Sequence, residues 1–251
     1  MIAVDTVDCL WRPPPTNWSV LGEDVHVWCT FLNQSTSRVE TLAELLSQDE
    51  RTRSERFYLE RDKKRYIVGR GLLRTILGSY LGTNASQLQF CYGSHGKPVL
   101  AETSGGNTLS FNLSHSHELV LYAVTRQREI GVDIEYMRPI SDFEQVAERC
   151  FSDREKDVFR KLPQDEKLGA FFNCWTRKEA YLKATGQGLV FPMDQLDVSL
   201  SQNEPVQLYS INGDRSTVIR WSLQAFIPAL SYVGALAVEG RDWHLKCWQW
   251  E

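Results

Sequence analysis

The order of secondary-structure signals runs through this chain twice, at an offset near 105 to 110 residues. The first pass opens at Val25 to Phe31, a β-branched and aromatic run that reads as a strand. Ser47, followed by Asp49 and Glu50, marks a capped helix start with an acidic first turn. A long helical stretch follows through Arg65 to Leu81. In it Tyr66, Leu73, Ile76, Leu77 and Tyr80 recur near helical spacing, and Gly82 ends it. Leu88 to Phe90 reads as a short strand, Gly105-Gly106 as a turn, and Leu119 to Thr125 as a buried strand. The second pass begins with a strand at Ile130 to Tyr136. Ser152 caps a helix start 105 residues after Ser47, and a helix runs from about Asp165 to Thr185. Gly186 stops it, 104 residues after Gly82, and a strand at Leu196 to Leu200 lies 108 residues after Leu88. Val218 to Phe226 and Tyr232 to Val238 are further strands. Solenoid repeats have periods of about 20 to 50 residues, so this is a different kind of repetition. It predicts an α+β fold of two similar halves, residues 1–125 and 126–251, each a small, mainly antiparallel sheet packed with helices. The connection at Thr125 to Glu129 is polar and lacks Pro and Gly, so the halves are expected to pack closely, with a site between them.

Composition narrows the partners. The apolar fraction of 42% is that of a globular chain, and no run of apolar residues is long enough for a transmembrane helix. Met1 to Pro15 lacks a basic start followed by an apolar stretch, so no secretory signal is expected. A net charge of −4 argues against a general nucleic-acid binder. The six cysteines contain no C-x-x-C pair, which removes a zinc knuckle or redox motif and suggests reduced thiols in a cytoplasmic protein.

Asp133 and Glu135 stand at i and i+2 of a strand, so both side chains point to one face. Like charges so placed repel unless a cation lies between them, and Mg²⁺ prefers oxygen ligands. A solvated strand edge carries the same pattern, so the pair alone decides nothing. Glu179 and Lys183 lie one turn apart on a helix that also carries Phe171, Phe172, Trp175, Ala180 and Leu182. An exposed Glu–Lys pair is ordinary. A buried one rarely adds stability for its own sake, which favours Glu179 at a metal and Lys183 at an anion.

In the first half, Ser94 to Pro98 is a turn in which Gly96 lets backbone approach a flat ligand and Lys97 offers a charge. Ser114 and His115 are candidate phosphate ligands. They do not suit a Ser–His nucleophile pair, because neighbours in a strand face opposite ways. His115 and His117 lack a third partner nearby for zinc. From Asp49 to Arg74 nine basic and five acidic residues leave a local excess of +4, from which Arg53, Arg65 or Arg70 is placed to reach an anion. The stretch Phe143 to Leu162, with Arg149, Phe151, Arg154, Phe159 and Arg160, is the candidate docking surface for a partner.

Five segments in order resemble one family: Gly96-Lys97-Pro98, Phe111 to Ser116, Ile130 to Glu135, Phe151 to Glu155, and Trp175 to Lys183. Their sequences are similar to those of the 4′-phosphopantetheinyl transferases of the larger, pseudo-dimeric Sfp type. The resemblance implies transfer of the phosphopantetheine arm of coenzyme A to a serine of an apo acyl, peptidyl or polyketide carrier, with release of adenosine 3′,5′-bisphosphate. It implies Mg²⁺ (or Mn²⁺) on Asp133, Glu135 and Glu179. It gives Lys183 the pyrophosphate, and Glu179, directly or through a metal-bound water, the serine proton. His95, Gly96, Lys97 and Pro98 are implied at the adenine, Ser114 and His115 at the phosphates, Arg53 at the 3′-phosphate and Lys178 near coenzyme A. A monomer is implied. Two positions depart from the family pattern: Glu50, three residues before Arg53, and Tyr92, both of which can be basic in relatives. Two other classes use the same residues, a metal-dependent phosphohydrolase and a non-catalytic coenzyme A or carrier-binding module.

Overall fold

A computed structural model describes residues 11–15, 22–93, 95–104, 108–201 and 204–250. Ser94, Cys9 and the Gly105-Gly106 turn lie outside the described residues. The elements follow in order as β1 (Asp24–Phe31), α1 (Thr36–Glu44), α2 (Gln48–Ser54), α3 (Glu60–Leu81), β2 (Phe90–Tyr92), β3 (Pro98–Leu100), β4 (Ser110–Ser116), β5 (Leu119–Thr125) and β6 (Ile130–Tyr136). They continue as α4 (Phe143–Cys150), α5 (Asp153–Lys161), α6 (Gln164–Thr185), β7 (Leu196–Val198), β8 (Leu208–Ile211), β9 (Trp221–Phe226), β10 (Tyr232–Glu239) and β11 (His244–Gln249). The expected mixed α+β architecture is the one observed.

One sheet has the order β11-β1-β5-β4 and the other β6-β10-β9, with β2-β3 and β7-β8 as two-stranded ribbons. Every pairing between the named strands is antiparallel except β1 with β11, which is parallel. The first sheet therefore takes an edge strand from residues 244–249, well past the polar connection at 125–129.

The helices repeat what the sequence spacing suggests. Ser47 and Glu50 form a capping box at the start of α2, and Ser152 and Glu155 form one at α5. Both α3 and α6 are 22 residues long. Each ends on a glycine in the left-handed region, Gly82 at φ 61° and Gly186 at φ 70°, where a side chain would be strained. The correspondence extends inside. Position 15 of α3 is Arg74, which binds Glu50 of the first box, and position 15 of α6 is Lys178, which binds Glu155 of the second.

Three apolar clusters form the core. One packs α3 against the first sheet through residues such as Leu72, Ile76 and Tyr122. One packs α4, α5 and α6 against the second sheet, around Phe151, Phe159 and Phe171. The third joins the sheets, with Val27 and Leu121 of the first against Val132 and Leu236 of the second. The contact between the two sheets is thus built from shared side chains.

Two expectations are corrected here. Phe151 and Phe159 are buried, and Arg154 binds Asp197 and lies over the Tyr209 ring. Phe151 and Phe159 of the candidate docking stretch are therefore core residues, packed on each other and on Phe171 or Phe143. The expectation of six reduced thiols fails at Cys247, which is disulfide-bonded. Strand β11 brings it beside the segment of Trp11 and Arg12, whose amide donates to the Cys247 carbonyl at 3.3 Å. Cys29, Cys91, Cys150 and Cys174 are free. Among the described residues no helix is long and apolar enough to cross a membrane.

Candidate active site

The site forms where the edges of the two sheets and α6 meet. Strands β4 and β6 lie side by side and are linked by side chains, which alternate along β4 as strand geometry requires. Asn112 accepts the Val132 amide at 2.9 Å through Oδ1. Ser114 donates to Asp133 Oδ1 at 2.8 Å, and Ser116 donates to Glu135 Oε2 at 2.7 Å while accepting the Tyr136 amide at 3.1 Å. Three polar residues at i, i+2 and i+4 thus fasten one sheet to the other and fix both strand carboxylates.

Helix α6 approaches the same strand across Gly131. A Cβ at Gly131 would stand 2.1 Å from the Ala180 carbonyl oxygen and 2.2 Å from the Ala184 nitrogen. Only glycine permits this contact, and it sets Glu179 and Lys183 against Asp133. Lys183 Nζ donates to Asp133 Oδ1 at 2.5 Å and to Ser114 Oγ at 2.8 Å.

The electrostatics of this cluster are unbalanced. Asp133 is 3% exposed, and its Oδ2 is buried without a hydrogen-bond partner, as is Glu179 Oε1. Burial pushes Asp133 above the usual carboxylate range, although Lys183 and Ser114 oppose the shift. Burial also raises Glu135. Glu179 is pushed up to about 7, by burial first and then by the charge of Asp133. Three carboxylates face one ammonium, and two buried oxygens go unmatched. That deficit is what a hard divalent cation satisfies, so these residues fit Mg²⁺. Among the described residues no three such side chains stand in a ready-made coordination cluster, and Lys183 occupies one Asp133 oxygen.

Beside the carboxylates lies a cleft of about 650 Å³. Arg53, Arg65 and Arg70 outnumber Asp62 in its lining and leave it net cationic, His115 adds an imidazole, and Phe57, Tyr66 and Pro98 supply apolar wall. Ser116, which binds Glu135, lines it too, so cleft and carboxylates adjoin. Ser114 and His115 face opposite ways, as expected of strand neighbours. His115 opens to the cleft, with its pKa pushed down by partial burial and by the charges of Lys183 and Arg65.

The sequence candidates divide on this geometry. Asp133, Glu135, Glu179, Lys183 and Ser114 come together, and Arg53, Gly96, Pro98 and His115 line the adjoining cleft. Lys97 turns away from it. Its ammonium donates to the Ala184 carbonyl at 2.7 Å and the Ile130 carbonyl at 3.3 Å, at the C-terminus of α6. His95 donates from Nδ1 to the Gly186 carbonyl at 3.0 Å. The turn at 95–97 therefore clamps the first half onto the end of α6. Lys178 is not at the cleft. It is fully buried, with its ammonium committed to the Cys150 and Met193 carbonyls and to Glu155 at 2.6 Å. Unmatched in the sequence reading are Asn112, Ser116 and the pair Glu50 and Arg74. The S-x-x-E spacing at Ser47 was the available signal for Glu50 as a buried cap residue.

Comparison with known proteins agrees with this geometry. The family model described as 4'-phosphopantetheinyl transferase superfamily matches residues 129–238, and that described as 4'-phosphopantetheinyl transferase, N-terminal matches residues 33–127. The chain is 43% identical over 240 residues to the 4'-phosphopantetheinyl transferase HetI of Nostoc sp., covering 96% of this chain and 98% of that one. It is 31% identical over 169 residues to the 4'-phosphopantetheinyl transferase Sfp of Bacillus subtilis, covering 67% of this chain and 73% of that one. A putative 4'-phosphopantetheinyl transferase of Synechocystis sp. is 33% identical over 181 residues, covering 72% of each chain. With both halves matched and one relative aligned almost end to end, this chain belongs to the 4′-phosphopantetheinyl transferase superfamily, in its larger Sfp-type class.

Proposed function

We propose that the chain transfers the 4′-phosphopantetheine arm of coenzyme A to a serine hydroxyl of an apo carrier protein, with Mg²⁺ as cofactor. The observation that carries this reading is the junction of a cationic, nucleotide-sized cleft with the Asp133–Glu179–Lys183 cluster. The serine oxygen forms a bond to the pantetheine-side phosphorus of the pyrophosphate. The bond from that phosphorus to the bridging oxygen breaks, and adenosine 3′,5′-bisphosphate leaves. Glu179, with a pKa near the operating pH, accepts the serine proton. Lys183, held by Ser114 and Asp133, supplies fixed positive charge for the pyrophosphate. Arg53 and His115 hold the phosphates of the nucleotide end, and the backbone of Gly96 and Pro98 lies at the adenine. Asp133, Glu135 and Glu179 would hold Mg²⁺, which when bound neutralises charge on the pyrophosphate. Lys97 and His95 act through the α6 clamp, and Lys178 is left out of the site.

The labour divides between the halves. Residues 1–125 supply the nucleotide cradle and residues 126–251 the acidic cluster, with β11 returning to complete the first sheet. One chain then carries a whole site, which favours a monomer, and coenzyme A and carrier proteins as partners favour a cytoplasmic location. Incubation with coenzyme A, Mg²⁺ and an apo carrier should raise the carrier's mass by one phosphopantetheine arm. Hydrolysis of coenzyme A without a carrier, and no mass gain with one, would instead identify a phosphohydrolase.

A further inference from the structure

A buried ion cluster under the cleft carries more positive than negative charge. Glu50 is 1% exposed and accepts from two arginines. Arg70 reaches its Oε1 from Nε at 2.8 Å and from Nη2 at 2.7 Å, and Arg74 reaches its Oε2 from Nε at 2.6 Å. The Ser47 amide also donates to Oε2, at 3.1 Å. One carboxylate thus meets two guanidinium groups, leaving one unit of positive charge over. The two arginines differ in where their remaining N–H groups go. Arg74 is 1% exposed and spends Nη1 on the Ala85 and Leu88 carbonyls. Arg70 donates Nη2 to the Tyr92 hydroxyl at 2.8 Å, and among the described residues its Nη1 has no hydrogen-bond partner. Nη1 is also not among the buried unpaired atoms, and Arg70 lines the cleft. Its open edge therefore faces the cavity. The rings of Phe90 and Tyr92, 5.0 and 5.9 Å from its Cζ, hold the guanidinium plane.

We infer that Arg70 is an anion receptor of the cleft, oriented by Glu50 and Tyr92, and that it reads the 3′-phosphate of coenzyme A. Three features support this. Glu50 balances one of the two guanidinium charges, and Arg70, which carries the open edge, lines the cleft. A guanidinium already fixed by a carboxylate on one edge and a hydroxyl on another loses little freedom when it binds. Its charged neighbours in the lining are Arg53 and Arg65 against the single carboxylate Asp62, a net positive set that fits an anion. Arg74 anchors Glu50, and so Glu50 acts on the ligand only through Arg70. This assignment rests on the coenzyme A reading of the cleft.

The test is a calorimetric comparison of coenzyme A with 3′-dephospho-coenzyme A, which needs neither carrier nor turnover. The wild-type protein should bind coenzyme A more tightly. In Arg70→Gln the ratio of the two dissociation constants should fall by about tenfold or more, the worth of a charge-assisted hydrogen bond. Arg70→Lys keeps the charge and loses the fork, so its ratio should lie between the two. It also decides the question if the glutamine variant fails to fold. A wild-type ratio in the folded variants would overturn the assignment of Arg70. Failure of the wild-type protein to bind either ligand would overturn the coenzyme A reading itself.

Discussion

His26 shows what burial does to a single titratable side chain. It is 2% exposed, and its Nδ1 accepts from the Tyr80 hydroxyl at 2.6 Å, which in turn accepts from Trp28 Nε1 at 2.9 Å. A ring buried this deeply is held at low cost only while it is neutral. Burial lowers the His26 pKa to about 4, against the opposing pull of Asp24. The unfolded chain takes up this proton near pH 6.5, so acidification favours unfolding. The stabilisation is complete above pH 6.5 and is lost as pH falls towards 4. Urea melts at pH 7 and pH 5 should differ by about 2 kcal/mol on this account, and the difference should shrink by that amount in His26→Gln. An equal pH dependence in both proteins would remove His26 as the cause. Residues like this one are hard to read from sequence, because nothing within four positions of His26 announces Tyr80. The carboxylates were easier. The i, i+2 spacing of Asp133 and Glu135 and the i, i+4 spacing of Glu179 and Lys183 are local patterns, and local patterns survive folding unchanged. The spacing was silent on Lys97 and Lys178, whose ammonium groups are taken up by carbonyls of distant segments.

Between elements, the decisive contact is β6 against α6 at Gly131. Backbone meets backbone there, so a methyl group cannot be absorbed by rotating a side chain. Gly131→Ala should cost about 3 kcal/mol or more through overpacking. It should also slow transfer beyond the loss of folded protein, by moving Asp133 away from Glu179 and Lys183. Chemical melts and the transfer rate of the folded fraction check the two parts, and a variant of wild-type stability would contradict the contact. A second element-scale prediction concerns the buried pair of the α5 box. Glu155→Gln leaves Lys178 charged and without its carboxylate, and should destabilise the protein by about 3 to 5 kcal/mol. Helix starts and stops were legible, since Ser47, Gly82, Ser152 and Gly186 act on their own neighbours. The fastening of β4 to β6 by Asn112, Ser114 and Ser116 was not. A strand's sequence shows which residues share a face, but not which strand that face will meet.

For the whole molecule, the third apolar cluster and the returning strand β11 tie the two halves into one unit. Thermal unfolding should show one transition, superimposable by circular dichroism and by tryptophan fluorescence. Two separated transitions would mean that the sheets stand alone. The spacing in the sequence is met by two capping boxes and two 22-residue helices ending on glycine, because such devices act on their own neighbours. It could not show that residues 244–249 cross back to β1, since a parallel pairing across the chain leaves no local mark. The central claim is that the joined halves form one transfer site, and the intact mass of an apo carrier protein tests it most directly. With coenzyme A and Mg²⁺ the wild-type protein should add one phosphopantetheine arm, chelation should stop the addition, and Glu179→Gln should slow it about a hundredfold or more. Arm transfer by Glu179→Gln at the wild-type rate, or its persistence in chelator, would contradict the account.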